Sequence, residues 1–308
     1  MPELPEVETI RRQLQKNMVG KTIKVVEVQY PKVVHGMSTA DFVRAMHGRK
    51  VREVGRQGKL ILIRLEGNET LVVHLKMTGR LLLQSARHPE PRRDSRGEGS
   101  LYHGMSKRLP RSLRSLAMTD YSVNKSTEVI FTFTNGSILR YDDLRRFGYM
   151  KVVPTSEEAK VVQKEQLGID FFDRVLTVQK FKELIRARGG SQIKPLLLDQ
   201  SLIAGVGNIY AQEACFMAKI HPLRKVSSLN DAELNALYRA LQTIMKKAIV
   251  YGGTTADDYR DAYGKEGKFA VHLKVYGRQG KPCLRCKGKL IKSSIGGRGT
   301  VFCPKCQK

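Results

Sequence analysis

The chain has 308 residues, 41% of them hydrophobic, so it is long enough for more than one core and too apolar to be disordered throughout. Its 55 Lys and Arg against 29 Asp and Glu give a formal charge of +26, far beyond the needs of solubility, and point to a polyanionic partner, nucleic acid first. No apolar run reaches the roughly 18 residues that cross a bilayer, no basic amphipathic helix suggests a membrane surface, and no basic-then-apolar leader opens the chain. The expected location is therefore cytoplasmic and nucleoid-associated, without a membrane partner.

The chain begins Met1-Pro2-Glu3-Leu4-Pro5-Glu6-Val7-Glu8. Removal of Met1 would leave a secondary amine with a carboxylate in the next residue. An α-amino group ionises at roughly 8 and a lysine at roughly 10.4, so a chain terminus needs far less help to attack a carbonyl-type carbon at neutral pH. Proline's ring nitrogen is somewhat more basic, which narrows that advantage. The same residues also read as an ordinary helix start, with Pro5 in the first turn and acidic groups at the positive end of the dipole. Both readings are compatible with a helix continuing through residues 9–14.

Period-two patterning predicts strands over residues 22–30, 50–55, 60–66, 70–75 and 80–83, with a short helix over 41–46. Residues 86–124 are rich in Arg, Pro, Ser and Gly and read as a loosely ordered basic loop. A hairpin over 128–134 and 137–141 turns on Asn135-Gly136, and residues 151–153 form one more strand. This first half is expected to be a β-sandwich or flattened barrel carrying a helix. From residue 157 the texture is helical, with helices over 181–188, 195–199, 208–218 and 231–250, and a short β segment over 272–276 leads into the cysteines. The predicted class is α+β, with domains over 1–155, 156–263 and 264–308.

Cys283-Leu284-Arg285-Cys286 and Cys303-Pro304-Lys305-Cys306 are separated by 16 residues, the spacing of a four-thiolate site that favours one structural Zn2+. Cys215 stands apart and reads as a core residue. Between the pairs, Gly296-Gly297-Arg298-Gly299-Thr300 forms a hairpin tip that holds Arg298 outward. Gly205-Val206-Gly207-Asn208-Ile209-Tyr210-Ala211 offers free backbone N–H groups at a helix start, suited to phosphate though common in plain capped helices. Arg145-Arg146-Phe147-Gly148 sets guanidinium groups beside an aromatic ring, and His74-Leu75-Lys76-Met77-Thr78-Gly79 sets an apolar side chain at a strand end. Such groups suit insertion into a base stack.

Together with the Gly58-Lys59 turn, these segments, in this order and at these spacings, resemble the formamidopyrimidine-DNA glycosylase family from Pro2 to Lys308, apart from the basic loop. The resemblance implies an N-terminal β-sandwich with a catalytic helix, a helix-two-turns-helix domain and a zinc finger. It implies a bifunctional glycosylase and AP lyase that removes 8-oxoguanine and formamidopyrimidines from double-stranded DNA as a monomer. Pro2 would then be the nucleophile, Glu3 the proton donor supported by Glu6, Lys59 and Arg298 phosphate contacts that aid elimination. Met77, Arg145 and Phe147 would fill the gap left by a flipped base; Asn208, His74, Lys194 and Tyr276 would lie near the DNA backbone. Cys283, Cys286, Cys303 and Cys306 would hold the zinc.

The chain departs from the family at Lys76, where glycine is usual, at Leu144, where proline is common, and at Lys125-Ser126-Thr127-Glu128, where a Lys-His-x-His-like phosphate contact is usual. Two alternatives stand beside the main reading: an endonuclease VIII-like preference for oxidised pyrimidines, and a noncatalytic zinc-dependent protein that binds damaged DNA. Leu4 and the Arg145–Gly148 segment argue against the first, and the intact Pro2, Glu3, Glu6 and Lys59 against the second.

Overall fold

The computed structural model describes residues 2–86 and 124–308, so the expectation of a loose basic loop over 86–124 lies almost wholly outside the described residues. Helix α1 (Leu4–Met18) buries Leu4, Val7, Ile10, Leu14 and Met18, a stripe recurring every three or four residues. Pro5 lies in its first turn, where the missing N–H has no helical partner to lose.

Two four-stranded antiparallel sheets form the sandwich. One has the order β1 (Ile23–Val28), β6 (Thr127–Phe133), β7 (Ile138–Asp143), β5 (Gly79–Gln84). The other has the order β2 (Val51–Gln57), β3 (Leu60–Leu65), β4 (Glu69–His74), β8 (Tyr149–Pro154). Alternation along β5 buries Gly79, Leu81 and Leu83 on one face, as expected for a half-covered strand. The Leu-Ile-Leu-Ile run of β3 is instead buried on both faces, because Leu60 and Leu62 pack outside the sandwich against Val161 of α3 (Glu158–Lys164). Helix α2 (Thr39–Met46), capped by Ser38, closes one end with Phe42 and Met46. At the β6–β7 turn Gly136 adopts φ 79°, and the Asn135 side chain accepts from the Ser137 N–H.

The second half holds β9 (Ile169–Asp170) parallel to β10 (Ile203–Ala204), then α4 (Val178–Arg186), α5 (Ile193–Leu197), α6 (Asn208–Met217) and α7 (Asp231–Val250). Asn230 and Glu233 cap α7 reciprocally at 2.9 Å. The core here is apolar from Phe171 to Leu273 and contains Cys215, which burial keeps as a thiol by pushing its pKa up to about 12. The chain ends in an antiparallel hairpin, β11 (Ile291–Ile295) and β12 (Arg298–Phe302).

One predicted element is absent. Residues 272–276 are not a strand; a 3-10 turn covers Phe269–His272, and the N–H groups of Lys274, Val275 and Tyr276 all converge on the carboxylate of Glu213 in α6. A side chain satisfies the donors that a neighbouring strand would have taken. No helix among the described residues is long and apolar enough to cross a membrane.

The finger core is small: Val275, Leu290, Val301 and Phe216 pack around Cys283 and Cys303. So few apolar groups do not hold a hairpin without a crosslink. Chelation of zinc from the full chain is therefore expected to strip hydrogen-exchange protection from Ile291–Ile295 and Arg298–Phe302 while β3 and β4 stay protected. Persistent protection of the finger after complete metal loss would refute this.

Candidate functional site

The first turn of α1 is inserted against the N-terminus of α6. Leu4 N–H donates to Gly205 O at 3.1 Å, and the buried Glu3 carboxylate accepts from Ile209 N–H at 2.8 Å and Tyr210 N–H at 3.4 Å. Those amides have no helical acceptor, and the helix dipole favours negative charge there. Only glycines allow the approach: a Cβ on Gly205, at φ 105°, would meet Leu4 at 2.3 Å, and one on Gly207 would meet Glu3 at 2.2 Å.

Glu6 lies one turn on, equally buried. It accepts from Tyr210 O–H at 2.6 Å, Thr254 N–H at 2.8 Å and Glu3 N–H at 2.9 Å. Burial and then the neighbouring Glu3 charge still push its carboxyl up to about 7. Burial also raises the Glu3 pKa, against the opposing pull of Lys59 and its backbone donors.

Lys59 follows Gly58, which turns at φ 56° between β2 and β3. Its buried ammonium points at Val206 O at 3.4 Å, and burial lowers its pKa even though Glu3 and Glu6 pull the other way. The turn is anchored from the second half of the chain, because Asp170 accepts from Gly58 N–H at 2.7 Å and pairs with the buried Arg56. Arg56 also reaches Glu8 at 3.1 Å. Burial would raise Glu8, but bonds from Arg11 and Arg12 and the Arg56 charge hold it at about 2.

These elements enclose a cavity of about 260 Å3, and Glu3, Lys59, Met77, Asn208, Tyr276 and Arg298 all line it. Pro2 is buried beside Glu3 and is not among the lining residues. Arg298 opens β12 after Gly296 and Gly297, both at positive φ, and is exposed. Asn208 Oδ1 accepts from Lys194 Nζ at 2.8 Å, while its amide donates to Gly299 O at 3.2 Å, tying the finger to α6. Burial lowers Lys194 to about 8.

His74, Arg145 and Phe147 lie outside the lining. His74 Nδ1 accepts from Lys76 N–H at 3.0 Å; burial and the charges of Lys76 and Lys59 hold the ring neutral, with its pKa down at about 3, so Nε2 carries the proton. Arg145 stacks its guanidinium 4.8 Å from the ring centre of Phe147, which is 55% exposed. The four cysteine sulfurs lie within 4.8 Å of one another, with separations of 3.9 Å for Cys283–Cys306 and 3.5 Å for Cys286–Cys303. A tetrahedron with Zn–S bonds of about 2.3 Å has edges of about 3.8 Å, so the donors fit zinc.

Several residues at the site carry no individual signal in the sequence. Tyr210, Thr254 and Asp170 were invisible because each acts across more than 40 residues of chain. Asp143 is another: fully buried, it accepts from Thr78 O–H at 2.5 Å and from the N–H groups of Arg145, Phe147 and Gly148. It thereby joins the loop of Met77 to the loop of Phe147.

Family models match along most of the chain: the formamidopyrimidine-DNA glycosylase N-terminal domain over residues 1–150, its H2TH domain over 167–260, and a zinc finger found in FPG and IleRS over 280–308. The chain is 39% identical to the formamidopyrimidine-DNA glycosylase of Heliobacterium modesticaldum over 308 residues, covering 100% of both, and 39% identical to that of Pelotomaculum thermopropionicum, covering 100% of this chain and 99% of the relative. Among solved structures it is similar to Lactococcus lactis Fpg bound to DNA with an abasic site, at a TM-score of 0.81 and 30% identity, and to the same protein on DNA with an N7-benzyl-Fapy-dG lesion, at 0.80 and 30%; each match covers 100% of both chains. The fold and site are thus those of a zinc-finger, helix-two-turns-helix DNA repair protein. The chain belongs to the formamidopyrimidine-DNA glycosylase family.

The raised Glu6 pKa has a signed consequence for stability. Its native value of about 7 lies above the ordinary 4.5, so the folded protein binds more protons between those values, and the contribution is fullest at low pH and lost as pH rises through 7. From about pH 4.5 to 7.5, Glu6→Gln is expected to gain on the order of 3 kcal/mol relative to wild type in urea unfolding, read as slope rather than intercept. Parallel stability profiles would contradict the assignment.

Proposed function

We propose that this protein is a bifunctional DNA glycosylase and AP lyase of base excision repair, acting on oxidised purines such as 8-oxoguanine and formamidopyrimidines in duplex DNA. The observation that carries the reading is a buried carboxyl with a raised pKa, Glu3, lining a cavity that also holds Lys59 with its lowered pKa and standing directly after the proline that removal of Met1 would free. A carboxyl whose pKa is raised by burial is better suited to donate a proton, and a lysine with a lowered pKa exchanges protons more readily.

In this scheme the unprotonated Pro2 nitrogen, once Met1 is removed, attacks C1′ of the flipped nucleoside. The glycosidic C–N bond breaks and its electrons leave with the base, which takes up the proton that the Pro2 nitrogen sheds. Glu3 protonates the ring oxygen O4′, opening the sugar to an iminium. Glu6 sits behind Glu3 as its proton partner. The iminium acidifies C2′–H; loss of that proton expels the 3′ phosphate, and a second elimination expels the 5′ phosphate. Lys59 and Arg298 hold the departing phosphates, and Asn208, Lys194, His74 and Tyr276 position the backbone around them. Because His74 is neutral with Nε2 protonated, its contact is a hydrogen bond rather than an ion pair. Met77, Arg145 and Phe147 fill the vacated stack, offsetting an unstacking cost of a few kcal/mol. Zinc, when bound by Cys283, Cys286, Cys303 and Cys306, supplies rigidity to the hairpin carrying Arg298. Such a protein works on chromosomal DNA in the cytoplasm or nucleoid.

Borohydride is expected to trap a covalent complex between the processed protein and an 8-oxoguanine duplex. Pro2→Gly and Glu3→Gln should each suppress strand nicking, Glu3→Gln by about 100-fold or more, the usual worth of a general acid. Normal nicking by both variants would exclude the mechanism.

A further inference from the structure

Among the described residues, left-handed backbone is taken by a few non-glycine positions, and two of them border the exposed loops beside the cavity: Lys76 at φ 47° and Arg146 at φ 55°. Lys76 immediately precedes Met77, which lines the cavity, and its own N–H is fixed on His74 Nδ1. A side chain at such a φ strains the backbone where glycine would not, so something must offset the strain.

Internal contacts do not offset it. The Lys76 ammonium stands 3.9 Å from Glu165, too far for a hydrogen bond, and the two side chains are 38% and 30% exposed. Glu165 is already engaged by the Tyr149 hydroxyl at 2.5 Å. The ammonium lies 5.5 Å from the Tyr149 ring centre, a loose cation–π contact. Half-exposed pairs of this kind contribute little to stability. What the position offers is a cation on a fixed loop, with no strong acceptor among the described residues, at the rim of a site built to take DNA.

We propose that Lys76 is a DNA-contacting residue that swings from Glu165 to a backbone phosphate beside the flipped nucleotide, adding one ion pair to the wedge loop. The inference rests on the DNA-binding part of the function proposed above and not on its chemistry.

The test uses the full zinc-loaded chain and a duplex containing a tetrahydrofuran abasic-site analogue, with Kd measured from about 0.1 to 1 M salt. Each phosphate contact contributes about 0.9 to the slope of log affinity against log salt, so Lys76→Gln and Lys76→Gly should each lower that slope by about 0.9. Their loss in affinity should be about eightfold at 0.1 M salt and vanish towards 1 M. Lys76→Arg should retain the wild-type slope, and Lys76→Gly should match or exceed the wild-type Tm because the strain is relieved. An unchanged slope in both neutral variants, or a Tm loss in Lys76→Gly, would overturn the proposal in favour of a purely structural Lys76–Glu165 pair. Because the readout is binding to a duplex that cannot be cleaved, a wild-type protein that binds it yet fails to nick an 8-oxoguanine duplex would sink the enzymatic reading and leave this one standing.

Discussion

The arrangement depends on one contact: the first turn of α1 docked on the N-terminus of α6. Helix α1 belongs to both cores at once. Leu4 packs with Phe171, Val206 and Ile209 of the helical half, whereas Val7, Ile10 and Leu14 pack with the sandwich strands. A single rigid element spanning two cores transmits the position of each to the residues before it, and those are Pro2 and Glu3. Gly205 and Gly207 make the docking possible, since any side chain at either would push the helix away. The chain terminus, ordinarily the least ordered part of a domain, is thereby tied down on both sides.

Docking at this point forces charge into the interior. Glu3, Glu6, Lys59, Arg56, Asp170 and Lys194 are all nearly or fully buried. Buried charges persist only where paired or hydrogen-bonded. Here the solution differs by residue. Asp170 and Glu8 share Arg56, which locks the Lys59 turn to the second half, and Glu8 is held at about 2. Glu3 and Glu6 have no guanidinium partner, and burial raises the pKa of both. The carboxylates of Glu8 and Asp170 and the raised carboxyls of Glu3 and Glu6 are thus separated by the presence or absence of a guanidinium.

Local features were legible in the amino-acid sequence. The cysteine spacing, the Asn135-Gly136 turn, the strand alternation and the Gly205–Ala211 helix start are decided by neighbours in the chain, and the structure has them. The segment over 272–276 misled because its apolar alternation suits a strand, while its real partner is one glutamate about 60 residues earlier. Asp143 was equally hidden. It sits within Asp142-Asp143-Leu144-Arg145-Arg146-Phe147-Gly148, where the arginines and phenylalanine draw attention, yet its carboxylate is what shapes the loop. A hydrogen-bond hub has no compositional signature, because its partners come from distant turns.

That hub bears on how the exposed loops work. Leu144 and Phe147 are 58% and 55% exposed, an unusual position for large apolar groups on so basic a surface. A floppy loop would collapse them onto the protein. The Asp143 carboxylate prevents this by taking the N–H groups of Arg145, Phe147 and Gly148, and its bond from Thr78 sets the neighbouring Met77 loop in the same frame. Glu128, buried behind it, has no hydrogen-bond donor on either oxygen among the described residues, and burial together with the Asp143 charge pushes its carboxyl up to about 7. Rigidity at the tip lowers the entropy that base-stack insertion would otherwise cost, which is why the apolar groups can remain exposed and ready.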